Sequence, residues 1–213
     1  MDSRFINLPE EKKQAIIASA IKEFAAHNYD KASTDVIAQQ AGISKGSLFN
    51  YFKNKLNLYR YILEHCTVLM AEELIAEIEQ IEEIDFYDRL KKITLLKYNS
   101  ILKHGEEAQI LSQYFFNPIS ALKEPIPIIE RYLSINDELI DKYLIQYIDE
   151  SKLREGVTKQ DVIFITFTFA EAIGKKHEEM ERMMLLGKMP GMEKGLADFD
   201  KYIEILKHGV YKV

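Results

Sequence analysis

Apolar residues recur at helical spacing along nearly the whole chain. From Pro9, where a proline suits a first helical turn, Ile17, Ala20, Ile21 and Phe24 mark one face of a helix running to about His27. Asn28-Tyr29-Asp30 breaks it. Ser33 then offers an N-cap and Asp35 a first-turn acid, and Val36, Ile37 and Ala41 predict a short helix that Gly42 stops. Ser44 caps a third short helix through Phe52, leaving only Gly42 and Ile43 as the connection. A long helix is predicted from near Asn54 to near Ile81 through Leu58, Ile62, Cys66 and Leu69. Helices over about 86–104 and 106–116 follow, then a break at Asn117-Pro118, Pro125 and Pro127. The pattern next predicts a helix over about 128–150 and a turn and cap at Gly156-Val157-Thr158.

One stretch is ambiguous. Ile165, Phe167 and Phe169 alternate with Thr166 and Thr168, as in a strand. The chain offers no second strand to pair with, and a lone strand is not viable. The stretch is therefore read as the start of a helix apolar on all sides, buried between two layers. After Gly187-Lys188-Met189-Pro190-Gly191 a last helix carries Leu196, Phe199, Ile203, Leu206 and Val210. Those steps of three and four make a narrow seam suited to helix-on-helix packing. The fold class expected is all-α.

Composition narrows the picture. The chain has 213 residues, 47% hydrophobic and 29% charged, enough for a small domain plus a larger one. Residues 1–10 hold two acids and no apolar core of an export signal. The longest strongly apolar run, residues 162–170, is about half of a membrane span. The single cysteine, Cys66, excludes an internal disulfide framework and fits a reducing cytoplasm. Charge is unevenly placed: residues 1–60 carry +3 and the remainder −9, for a net −6. A basic first quarter on an acidic remainder suits one small module that meets phosphate.

That module has a recognisable pattern. Residues 33–52 read as two short helices around a glycine turn, with Ala38 small enough for close crossing and Ile37, Ile43, Leu48 and Phe52 free to face inward. Such a pair lets the second helix enter a major groove. Its outward face would present Lys45, Ser47, Phe49, Asn50 and Tyr51, groups that suit base edges and phosphates, with Lys53 and Lys55 close behind.

The stretch from Asp35 to Leu58, with Ile-Ala, two polar residues, Ala-Gly-Ile-Ser-Lys-Gly-Ser-Leu, an aromatic, then Tyr-Phe and a following Lys, closely resembles the N-terminal pattern of the TetR family. The close similarity covers about residues 10–60. The resemblance implies an N-terminal three-helix helix-turn-helix DNA-binding domain over 1–53 and a C-terminal helical domain over 54–213 for effector binding and dimerisation. By position, Ser33 and Thr34 would cap the second helix and touch the DNA backbone. Lys45, Gly46 and Ser47 would open the recognition helix, Phe49 and Asn50 would approach bases, and Tyr51 and Lys55 would hold phosphates. Phe49 stands where the family often has Tyr, which leaves apolar contact only, and Leu56 stands where an acid is common.

The resemblance also implies a cytoplasmic homodimer on a near-palindromic double-stranded operator, a repressor by the family's usual habit, released by a small effector. The aromatics Tyr98, Tyr114, Phe115, Phe116, Phe164 and Phe167 would suit an apolar or aromatic ligand. Leu196, Phe199, Ile203 and Leu206 would lie in the dimer interface, with the last two helices of each chain forming a four-helix bundle. An alternative is a regulator of the same fold governed by a protein partner.

Other chemistries fare worse. Gly42-Ile43-Ser44-Lys45-Gly46 is a literal G-x-S-x-G, but a nucleophile elbow needs a strand before it and the preceding residues have helical period. The five histidines show no metal-ligand spacing. No glycine pair supports a nucleotide-binding loop. No metal, cofactor, membrane contact or enzymatic activity is expected, and Cys66 reads as a packed thiol.

Overall fold

The computed structural model describes residues 3–116, 119, 122, 124–176 and 192–208. Among the described residues there are ten α-helices and two 3-10 turns, and no strand. The chain divides into two compact units, the first holding residues 1–72 and 104–133, the second 73–103 and 134–213.

The first unit contains α1 (Ser3–Ile6), α2 (Glu10–Lys31), α3 (Thr34–Gln40), α4 (Lys45–Phe52), most of α5 (Lys55–Glu79), α7 (Gly105–Phe116) and the start of α8 (Pro127–Tyr143). Its core follows the predicted stripes: Ile17, Ala20, Ile21 and Phe24 of α2 share a cluster with Leu58, Ile62 and Cys66 of α5, and Ile16 of α2 and Ile110 of α7 join them. Tyr59 completes it, its ring 4.9 Å from Phe24 and 5.1 Å from Tyr29 in tilted or edge-on contact. Across the α2–α7 packing, Gln113 donates through Nε2 to the Ala25 carbonyl at 3.0 Å. The break expected at 28–30 is a kink: α2 continues to Lys31, but Asn28 is non-helical at φ 54° and ψ 176°. Asparagine is among the few residues that tolerate positive φ.

The second unit contains α6 (Phe86–Lys103), the end of α8, α9 (Lys159–Lys176) and α10 (Met192–His208). Ile78, Phe86, Ile93, Tyr143, Leu144, Ile148 and Val162 form its core cluster. At its centre is the buried Arg89. Its guanidinium donates to the carbonyls of Ile81 (2.9 Å), Glu83 (3.1 Å) and Tyr143, and it stacks 4.0 Å from the Tyr147 ring. This accounts for a departure from the expected helix over 128–150. The α-helix ends at Tyr143, where Arg89 takes a terminal carbonyl, and 3-10 turns at Ile145–Tyr147 and Glu150–Lys152 follow.

The alternating stretch at 162–169 is helical, as expected. Thr158 and Asp161 cap α9 reciprocally: the Thr158 N–H donates to Asp161 at 2.8 Å and the Asp161 N–H to the Thr158 hydroxyl at 3.2 Å. The helix is not buried all round, however. Val162 and Thr166 face inward, while Phe164 and Ile165 stay 71% and 48% exposed in the single chain. Ion pairs tie α6 to α10: Lys91 with Glu204 at 2.7 Å, and Lys207 with Asp85 at 3.1 Å and Asp88 at 2.9 Å. No described helix is long and apolar enough to cross a membrane.

Candidate nucleic-acid interface

The site is built from α3, α4 and the turn between them. Ser33 is the N-cap of α3 and accepts from the Val36 N–H through its hydroxyl. Its own N–H donates to Glu23 of α2 at 2.8 Å, so a buried carboxylate fixes where α3 begins. Local sequence does not announce this role of Glu23. The only hint is an acid on the apolar stripe of α2, three residues after Ala20.

The other end of α3 closes on Gly42 at φ 68°. The Gly42 N–H donates to Gln39 O at 3.1 Å and the Ile43 N–H to Ala38 O at 2.9 Å, the two bonds of a Schellman turn. A side chain at Gly42 would meet left-handed backbone strain, so this tight turn favours glycine. Ser44 then caps α4, its hydroxyl accepting from the Ser47 N–H at 3.0 Å. The G-x-S-x-G serine is thus a helix cap.

These constraints leave α4 with two distinct faces. Leu48 and Phe52 are buried against Ile37 and Ala38 of α3. Lys45, Gly46 and Asn50 are exposed, while Ser47, Phe49 and Tyr51 are half-buried, as is Thr34 at the start of α3. Lys45 pairs with Asp35 at 2.8 Å, both at least half exposed. Such a surface pair contributes little to stability and leaves the ammonium able to take another anion. Lys55 is held more firmly: its ammonium donates to the Asp30 carbonyl at 3.2 Å and lies 4.9 Å from the Tyr29 ring. Burial there pulls its pKa below the usual lysine value.

The helix α1 is a second feature that the sequence pattern does not predict. Phe5 is 1% exposed and anchors it, its ring 4.8 Å from Phe52, 5.3 Å from Tyr61 and 6.0 Å from Tyr51. Arg4 donates to the Asn50 carbonyl at 3.3 Å. A four-residue helix is too short to show a period, so only the aromatic before Leu8-Pro9 could signal it.

Residues 16–62 match the family described as bacterial regulatory proteins, tetR family. That N-terminal segment is of the tetR family. Among similar proteins, the fatty acid metabolism regulator protein of Bacillus subtilis (strain 168) is 28% identical over 153 residues, 68% of this chain and 73% of that one. The probable acrEF/envCD operon repressor of Escherichia coli (strain K12) is 27% identical, covering 50% of this chain and 57% of its own length. A solved structure, the transcriptional regulator FadR from Bacillus subtilis in complex with stearoyl-CoA, shares the fold, with a TM-score of 0.59 and 18% identity. That match covers 93% of this chain and 99% of the other.

The remaining candidate residues lie in both units. Tyr114 packs against the first core and its ring lies 5.2 Å from Phe115; Phe115 and Phe116 are 48% and 53% exposed. In the second unit Phe167 packs against the core, Tyr98 is half-buried and Phe164 is exposed. Of the seam residues on α10, Ile203 is buried by its own chain and Phe199 and Leu206 are half-buried. The Leu196 side chain and Val210 lie outside the described residues. Cys66 is fully buried, and burial pushes its thiol pKa up to about 12, so it is an inert packed thiol.

Proposed function

We propose that this regulator is a repressor that binds a near-palindromic operator as a homodimer and is released by a small apolar effector. The observation that carries the DNA reading is the exposed face of α4 behind the Gly42 turn, where Lys45, Gly46 and Asn50 stand clear of the core and Ser47 is half-buried beside them. Gly46 is informative. A Cβ built there would meet only the Ser44 hydroxyl, at 3.8 Å, so the fold itself has room for a side chain. Glycine inside a helix costs about 1 kcal/mol relative to alanine, and close approach of a DNA backbone gives that cost a use. Ser33, Thr34, Tyr51 and Lys55 flank this face and would position it on phosphates, while Phe49 and Asn50 would read bases.

We propose the functional division between residues 53 and 54, ahead of α5, whose residues belong to both compact units. The exposed apolar side chains of Phe164 and Ile165 on α9 support a dimer seam, completed by Phe199 and Leu206 of α10. Two recognition helices would then meet half-sites about 34–36 Å apart or a multiple of it. The fatty acid regulator among its relatives and the stearoyl-CoA-bound neighbour make long acyl compounds the first effectors to test, before aromatic acids. Tyr98, Tyr114, Phe115, Phe116 and Phe167 remain the candidates for contact with such a ligand.

The test is selection from randomised duplex DNA across a salt series, with wild type beside Lys45→Ala and Tyr51→Ala. Enrichment of a palindrome, weakened in both variants, is the expected result. No enriched site at any salt would refute the DNA reading. With an operator in hand, the effector should lower affinity about 5–150-fold, the range of a coupling of ~1–3 kcal/mol. Light scattering that gives a monomer at micromolar concentration would end the dimer proposal.

A further inference from the structure

Beside the recognition helix lies an open cleft of about 510 Å³, walled by Ser3 of α1, by Tyr51 and Phe52 of α4, and by the start of α5. Lys53 and Arg60 line it, with Asn57 between them and Glu64 its one carboxylate. Phe5 holds α1 in place as the outer wall, and Arg4 of that wall reaches the last turn of α4 at the Asn50 carbonyl.

The backbone at Lys53 adds an independent observation. It has φ 66° and ψ −44°, and the Asn54 N–H closes a three-residue turn on the Phe52 carbonyl at 2.8 Å. A γ-turn with positive φ is rare and strained, and glycine would relieve the strain. The position holds an exposed lysine instead. Backbone strain of this kind collects where a side chain must be aimed.

Resting on the DNA-binding reading above, we infer that Arg4, Lys53 and Arg60 form a second phosphate-binding surface that grips the operator backbone beside the stretch read by α4. Two cations against the one carboxylate of the cleft lining, with Arg4 on its wall, suit a run of phosphodiesters and leave base reading to α4. The surface extends the DNA contact at the end of α4 remote from Lys45. It also gives α1 a purpose, since that helix carries Arg4 and walls the cleft.

The test uses the full chain on its selected operator, with Arg4→Gln, Arg60→Gln and Lys53→Gly, each checked for wild-type helicity. Each variant should bind more weakly, with the slope of log K against log salt shallower by about 0.9 for each phosphate no longer neutralised. The preferred sequence should not change, because backbone contacts carry no base information. Lys53→Gly should also melt above wild type as the turn relaxes. Phosphate-ethylation interference should mark positions flanking the half-site in wild type and lose them in Arg60→Gln. Wild-type affinity and slope in Arg60→Gln and Lys53→Gly, alongside weakened binding by Lys45→Ala, would overturn this surface and leave the α4 reading intact. A wild-type chain that selects no operator would overturn both.

Discussion

The two units hold themselves together by different means. In the first, Ile16, Phe24, Ile37, Tyr59, Ile62 and Cys66 are all at 0% exposure, and the contacts are apolar and aromatic. In the second, the members of the core cluster keep between 4% and 9% of their surface. There the cohesion comes from Arg89 on three carbonyls and from lysine–carboxylate pairs between α6 and α10. A dry apolar core gives a rigid platform for α3 and α4. A unit tied by polar groups has more rearrangements of similar energy open to it.

The sharpest way to break this contrast is truncation in each core. Phe24→Ala should cost about 3–5 kcal/mol, and Phe86→Ala should fall at or below the low end of that range. Urea unfolding of the two variants decides it; equal costs would mean that the two cores are equivalent. Arg89→Met comes next. Removing the guanidinium leaves the carbonyls of Ile81, Glu83 and Tyr143 without their donor, an expected loss of about 2–3 kcal/mol. Arg89→Lys should recover only part of it, since an ammonium cannot reproduce the planar fork. Full recovery in the lysine variant would argue that charge alone matters there.

A smaller effect of opposite sign is expected in the first unit. The Tyr59 hydroxyl is buried with no hydrogen-bond partner among the described residues. Tyr59→Phe should therefore raise stability by up to about 1 kcal/mol, read as a higher urea midpoint. A loss would mean that the dry core depends on that hydroxyl.

The smallest effect is a pH dependence at one ion-pair cluster of the second unit. Burial pushes the Asp85 pKa up, but the backbone N–H groups of Asp88 and Tyr87 and the Lys207 ammonium outweigh it, and the net shift is down from 3.8. A lowered carboxylate pKa means stability that is present above that ordinary value and lost as pH falls through the folded one. Asp85→Asn should flatten the acid limb of a stability–pH curve and leave the neutral plateau lower. The raised pKa of Lys207 works in the opposite sense, its contribution being lost as pH rises past the usual lysine value.

The DNA-facing half was legible because local signals coincide there. Ser33, Gly42 and Ser44 each mark a helix boundary within a few residues of the apolar positions they serve. The all-α class followed from helical spacing everywhere but α9, where the lack of a second strand decided against an alternating pattern and Thr158 and Asp161 cap the helix. What stayed hidden depends on partners distant in sequence. Glu23 is one more helix acid until Ser33 folds back on it, and Arg89 is an ordinary cation until Tyr143 arrives 54 residues later. The helix α1 was hidden for a different reason: four residues cannot display a period, and its only strong signal is Phe5 meeting Phe52 and Tyr61.

The reach of Arg89 also bears on how the chain acquires its structure in time. α2, α3 and α4 are neighbours in sequence as well as in space, so their packing requires only short loops to close. The Arg89–Tyr143 bond must wait until a span of 54 residues has closed, and until then a guanidinium and the end of α8 remain in water. A refolding experiment should see two rates, with protection of the α2–α4 amides first and that of the Tyr143 region later. A nascent chain would thus pack α2, α3 and α4 on one another before the Arg89–Tyr143 bond can form.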